Sequence, residues 1–378
     1  MKKVVSIALA LLMVAVMLPV MAMAEGANVA KIGNTEYATL KEAFDAVPNG
    51  ETIVVMKNCS GNGIVVNSGR NFTVDFNNCT YDIDGTTVGS TGTETNGFQL
   101  LKDSTITFKN GKLTSTKAKI LIQNYCNLTL ENMELDGRNL NSSNPNYTLS
   151  NNNGDVVIKD TTIFAAAGMV AFDVCRFAAY TGPSVTVQGN SVINGKVEIS
   201  SDGPKDGARH ELVIENGTFN GAIESVGASP NFTGHVYGGT FNTDVTPYVG
   251  QDTLAVTDGS NYYVGNTAKS TIENATSGTF EIVGGADVNL TVKGGVTIKV
   301  TGVGSAVING KRITNDDGPY TVPGAITIIV PSEGGSTTTT PSTDNTKNPS
   351  TGANDLVGVA AAMVVVSLLG AAAVIRKK

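Results

Sequence analysis

The chain has no tryptophan, two histidines and four cysteines among its 378 residues. Each scarcity removes a class of chemistry. His210 and His235 cannot by themselves hold a zinc ion, and the spacing of Cys59, Cys79, Cys126 and Cys175 fits no metal motif. The pattern therefore calls for no metal and no cofactor. The cysteines read as small hydrophobes within apolar strands, although export would permit disulfides, for which four cysteines allow three pairings. Lacking Trp, the chain also lacks the strongest sugar-stacking surface. Tyr125, Tyr147, Tyr180 and Tyr237 could serve that role, although aromatic side chains in coils more often stack internally. Basic residues are scarce as well. Between the two terminal segments stand 21 Lys and Arg against 33 Asp and Glu, a balance of −12. Phosphate recognition needs clustered Lys and Arg, so nucleic acid is excluded as a partner.

What is present begins with the ends. Lys2 and Lys3 precede an uncharged run from Val4 to Val20, and the run closes on Ala22-Met23-Ala24 before Glu25. A basic start, an apolar middle and small residues at Ala22 and Ala24 describe a secretory signal peptide over 1–24, cleaved ahead of Glu25. Near the other end, 356–375 is apolar apart from Ser367 and glycines, and Arg376, Lys377 and Lys378 follow. About twenty residues at 1.5 Å rise suffice to cross a bilayer core of about 30 Å. The basic tail keeps its side in the cytoplasm, which places the body outside and a membrane span at 356–375.

Asn348, Pro349, Ser350, Thr351 and Gly352 stand just before that span. The order of pentapeptide, apolar span and basic tail resembles the cell-wall sorting signal of Gram-positive surface proteins. Their usual pentapeptide is LPxTG. Asn348 replaces its Leu, so 348–378 is similar to the NPxTG variants. The resemblance implies that a sortase cuts between Thr351 and Gly352 and joins Thr351 to peptidoglycan. A permanent membrane anchor through 356–375 is the alternative.

Residues 25–264 read as one β domain with a helix near its start. Thr39-x-x-Glu42 is a capping box, and Leu40, Ala43, Phe44 and Val47 mark one helical face ended by Pro48-Asn49-Gly50. Strand–turn–strand pairs follow, among them Thr105-Ile106-Thr107-Phe108 through Asn110-Gly111 to Leu113, and Leu128-Thr129-Leu130 through Asn132 to Leu135. A third apolar segment separates the pairs, as in Phe98-Gln99-Leu100, Ile120–Ile122, Met169–Phe172 and Val197-Glu198-Ile199. Three strands for every 20–30 residues is the mark of a stacked parallel β-helix, and 52–264 has room for about eight or nine coils. A lone helix ahead of such a stack suits the covering of its open end. Loops at Asn139–Pro145 and Ser201–Arg209 are expected to project from one side.

Ala30–Leu40 and Gly238–Val249 resemble the opening and closing segments of Firmicutes surface proteins with pectate-lyase-like right-handed β-helices. The fold class implied is all-β: a right-handed parallel β-helix with an N-terminal capping helix, a small C-terminal β domain and a C-terminal transmembrane helix. Residues 265–330 supply the small domain, with strands parted by Gly-Gly and Asp-Gly signals and a hairpin at Asn309-Gly310-Lys311. Residues 331–347, with four consecutive threonines, form a flexible stalk.

Enzymes with such coils include polysaccharide lyases and glycosidases. Galacturonan hydrolases of that fold carry an NTD triplet, a DD pair, GHG and RIK. Here Asn242-Thr243-Asp244 belongs to the closing segment, Asp316-Asp317 lies in the other domain, and GHG and RIK are missing. Asp75, Glu131 and Glu215 fit a solvated outer face, and the coils offer only Arg70, Arg138, Arg176 and Arg209 as a lyase base. The sequence thus favours a non-enzymatic, displayed protein that contacts a glycan or host surface. A polysaccharide-processing enzyme is the alternative, and no catalytic residue stands out.

Overall fold

The structure, a computed structural model, describes residues 28–141, 146–202, 210–226, 235–301 and 305–332. It is an all-β protein built on a parallel β-solenoid of about six turns. Three faces repeat along the stack. Strands Asn71–Ile83, Thr105–Ser115 and Asn127–Gly137 each bend once and so contribute to two faces. Later coils divide the same path into two strands, as in Gly154–Lys159 and Thr162–Ala165. The third face is a separate seven-stranded parallel sheet: Ile64–Val66, Asn96–Leu100, Ile120–Asn124, Tyr147–Asn151, Val170–Phe177, Lys196–Asp202 and Ile223–Val226. These seven strands make six coil-to-coil steps, and the solenoid's count of about six turns is below the eight or nine coils the strand pairs suggest. At the last coil His235–Val236 and Gly239–Phe241 stack on the first two faces, and no third-face strand of the described residues follows them.

The coils hold register because apolar side chains recur at the inward positions of every strand. Val74, Phe108, Leu130, Ile158, Val187, Ile214 and Val236 align in one inward column. Tyr81, Leu113, Leu135, Ile163, Ile193, Phe219 and Phe241 form a second. Phe98, Ile122, Leu149, Phe172 and Val197 form most of a third. Each fully buried side chain of this size contributes roughly 1.5–3 kcal/mol. A one-residue slip would expose a whole column, so register is strongly specified.

The bend between the first two faces falls on the residues that sequence reading assigns to turns. Asn110 (φ 57°), Asn132 (φ 53°) and Asp160 (φ 48°) sit there in the left-handed region, which short polar side chains tolerate better than others. Asn132 Nδ2 donates to Asn110 Oδ1 at 3.1 Å, and Asn110 Nδ2 donates to Asp75 Oδ1 at 3.1 Å, tying successive bends together. Gly111 is required at its position: a Cβ would lie 2.2 Å from the Phe76 Cβ.

The helix Leu40–Ala46 carries the expected capping box, with Glu42 N–H on Thr39 Oγ1 at 3.2 Å and Thr39 N–H on Glu42 Oε2 at 3.0 Å. Its Phe44 ring lies 5.5 Å from Phe72 and 5.8 Å from Phe98. At the far end, strands Ala255–Thr257 and Tyr262–Val264 pair antiparallel, and Gly278–Gly284 continues the sheet from Ala255–Thr257 across residue 264. A second hydrophobic core follows, shared by Leu254, Val256, Ile272, Phe280, Ile282, Leu290 and Ile328 among others. Helix Asn266–Asn274 packs into it through Ala268 and Ile272; two apolar residues in nine leave too faint a periodicity to read from sequence. The Ala306–Ile308 and Lys311–Ile313 hairpin turns at Asn309 (φ 51°) and Gly310 (φ 76°), both left-handed as the Asn-Gly signal implies. Among the described residues no helix is long and apolar enough to cross a membrane, and the span at 356–375 lies outside them.

Candidate functional site

Side chains alternate across a strand, so every second residue of the third sheet faces away from the core. Register brings these outward residues into one column. Gln99 aligns with Gln123, Gln123 with Ser150, Asp173 with Glu198, and Glu198 with Glu224. The column begins with amides and ends with carboxyls. Gln99 Nε2 and Asn96 Nδ2 both donate to Gln123 Oε1, at 3.0 and 2.9 Å. Ser150 Oγ donates to Asp173 Oδ2 at 3.2 Å, and the Asn151 N–H donates to Asp173 Oδ1 at 2.5 Å. At the far end Glu224 is paired to Lys196 at 3.0 Å.

Asp173 and Glu198 sit on successive coils, about 4.8 Å apart in backbone. Asp173 is 4 % exposed. Burial pushes its carboxyl up to about 8, against the pull of the Asn151 N–H, and the charge of Glu198 adds to the rise. Asp173 is therefore mostly protonated at neutral pH. Tyr147 Oη donates to Glu198 Oε1 at 3.3 Å, and burial followed by that carboxylate raises the phenol. Beside this pair lies an aromatic group: the Tyr125 ring is 5.0 Å from Tyr180 and 6.3 Å from Phe177. Burial pushes the Tyr125 phenol up to about 12, whereas Phe177 is 36 % exposed.

A protonated carboxyl one coil from a second acid is near the spacing of about 5–5.5 Å that retaining glycosidases use. The surroundings argue against that chemistry. Both Asp173 oxygens already accept hydrogen bonds inside the fold, and the group is nearly closed to solvent, so it holds the sheet rather than reaching a glycosidic oxygen. Phe177 is exposed and Glu198, Tyr147 and Tyr180 are half-buried, a surface suited to stacking and hydrogen bonding.

The other residues weighed from sequence are engaged elsewhere. Asp75 and Glu131 point outward and meet Lys109 and Lys159, at 3.6 and 2.7 Å; Glu215 is exposed on the first face. Arg70 Nη2 donates to the Val47 carbonyl at 2.5 Å, where the N-terminal helix ends. Arg138 grips Asp136 with Nε and Nη2, at 2.8 and 2.7 Å, and Lys112 adds a third contact at 2.8 Å. Arg138, then Lys112, holds that carboxyl well below the usual carboxylate range. Arg176 is 2 % exposed, and Arg209 lies outside the described residues. Asp244 accepts from Thr246 N–H, and Asp317 from Thr314 N–H, at 2.9 Å each, both as turn formers. Tyr237 stacks on His235 at 5.8 Å, away from the aromatic group. Cys79 and Cys126 are buried, and burial pushes the Cys126 thiol up to about 12, far from reactivity. The signal-cleavage residues Ala22, Ala24 and Glu25 and the sorting residues Asn348, Pro349, Ser350, Thr351 and Gly352 fall outside the described residues, as do 142–145 and 203–209 of the projecting loops.

Asp173 and Glu198 were not singled out by motif. Their signal is an acid in the outward position of successive third-face triplets: Phe172-Asp173-Val174, Val197-Glu198-Ile199 and Ile223-Glu224-Ser225. Only the coil register turns three distant acids into one column.

The fold defines an all-β protein built on a parallel β-solenoid. No protein family, curated protein or solved structure matches the chain.

Proposed function

We propose that the chain is a non-enzymatic surface protein whose solenoid contacts a glycan on a host or neighbouring surface through the third sheet. The observation that carries the reading is the group of Tyr147, Tyr180, Phe177 and Glu198 on the third sheet and its edge. Aromatic faces stack on the apolar side of sugar rings, and a carboxylate accepts from hydroxyls. The ends of the sequence support display: a signal peptide at 1–24, a stalk at 331–347 and a sorting signal at 348–378, which would make a sortase and peptidoglycan its envelope partners. In this reading the helix Leu40–Ala46 covers the N-terminal end of the stack, residues 265–330 act as a small β domain between solenoid and stalk, and 356–375 spans the membrane before transfer to the wall.

Asp173 and Glu198, two acids on adjacent coils, are the residues a second reading, a glycan-cleaving enzyme, would use, since that chemistry needs paired carboxyls. Incubating the purified protein with pectin and with host glycans, with and without calcium, separates the two. Display predicts glycan retention with no new reducing or unsaturated ends. Product release would contradict it.

A further inference from the structure

Arg176 lies on the other side of the strand that carries Asp173. It follows Phe172 and Val174 at alternate positions, and both are completely buried in the solenoid core. Arg176 is itself 2 % exposed, the largest side chain buried to that degree among the described residues. Nε and Nη2 of its guanidinium are buried without a hydrogen-bond partner. Those two nitrogens form one edge of the planar group, the edge that takes a carboxylate or phosphate with two parallel hydrogen bonds. Arg138 shows the filled form within the same molecule: its Nε and Nη2 both donate to Asp136. A buried guanidinium with no counter-charge is costly by several kcal/mol, and buried donors are seldom left unpaired. Two further features lie close to it. Ala178, two residues on, is held at φ 45°, a left-handed conformation that an alanine adopts only under constraint. His210 lies near enough that Arg176 contributes, after burial, to holding its imidazole below the ordinary range.

The geometry points to an oxyanion site at Arg176: the Nε–Nη2 edge receives a carboxylate or phosphate group from outside the chain, beside His210. This inference stands apart from the glycan-contact reading, since it uses the inward side of the strand and none of the outer aromatic residues. Two sources share the chemistry, the carboxylate of an acidic sugar and a free inorganic anion.

The test uses the full-length protein and the small number of its histidines. Imidazole titration is followed by NMR, with His235→Gln assigning the two signals, in chloride at fixed ionic strength. Glucuronate and inorganic phosphate are then added in separate arms. A bound oxyanion places negative charge beside His210, so its titration should move up by about one unit, and the melting temperature should rise with anion concentration. A response to glucuronate alone assigns an acidic sugar, and a response to phosphate as well assigns a general oxyanion site; either supports the inference. Arg176→Met and Arg176→Lys should each abolish the response, the second while keeping the charge and losing the fork. No movement of His210 with either anion in the unaltered protein overturns the inference, as does a response that survives in both variants.

Discussion

At the scale of single residues, Asp173 is the most consequential polar group of the fold. Its ordinary value of 3.8 is raised to about 8 by burial, so the native state binds a proton that the unfolded chain releases above about pH 4. The stabilisation is fully present below about pH 4 and is lost as pH rises through about 8. Asp173→Asn keeps a neutral polar group of the same shape and removes that dependence. The variant and the parent should melt together near pH 4, and the variant should be the more stable at pH 9, by a few kcal/mol at most. Thermal melts across that range check it; parallel curves for the two proteins would show that Asp173 is ionised in the fold. The functional face was only partly legible at this scale. Tyr125, Tyr147 and Tyr180 are candidates for sugar stacking or for internal packing, and nothing in sequence shows that Tyr125 is 8 % exposed while Phe177 stands open. Exposure depends on which coil edge covers which ring.

At the scale of elements, the bends between the first two faces show why the solenoid could be read from its sequence. Asn110, Asn132 and Asp160 meet the demand for left-handed backbone, and flanking alternation defines the strands. Local chemistry and tertiary position agree there. Asn132→Ala should destabilise the protein by about 1–2 kcal/mol, since alanine is strained at φ 53° and loses the bond to Asn110. Asn132→Gly, which relieves the strain, should cost about half as much. Denaturant unfolding of both variants measures the difference, and equal losses would mean that the hydrogen bond alone matters. The helix Leu40–Ala46 was legible for the same local reason: Thr39 and Glu42 make both bonds of the capping box. Helix Asn266–Asn274 was not, because its place depends on the second core into which Ala268 and Ile272 fit.

At the scale of the whole molecule, the stack converts short, unremarkable triplets into a continuous surface. Asp173, Glu198 and Glu224 are separated by 25 or 26 residues each, yet register aligns them. That long-range order is invisible to any local motif, and it explains why the outer column escaped a search for catalytic signatures. The proposed display at the envelope rests separately on the sequence of the termini. Thr351→Ala removes the residue through which a sortase would join the chain to peptidoglycan. The parent should be released from cells only by peptidoglycan hydrolases, and the variant should remain with the membrane through 356–375 and come off with detergent. A variant still released only by peptidoglycan hydrolases would exclude sortase transfer at this motif.

The central claim, that the third sheet contacts a glycan, is tested most directly by a panel of immobilised glycans. The panel is probed with the unaltered protein and with a Phe177→Ser, Tyr180→Ser double variant. Phe177 is exposed and Tyr180 half-buried against Tyr125, so the melting temperature is measured to verify that both proteins fold. Stacking on an aromatic ring contributes on the order of 1 kcal/mol for each ring, so the account predicts binding to a subset of glycans that falls about tenfold or more in the variant. Equal binding by the two proteins, or no binding to any glycan by the unaltered one, would contradict it.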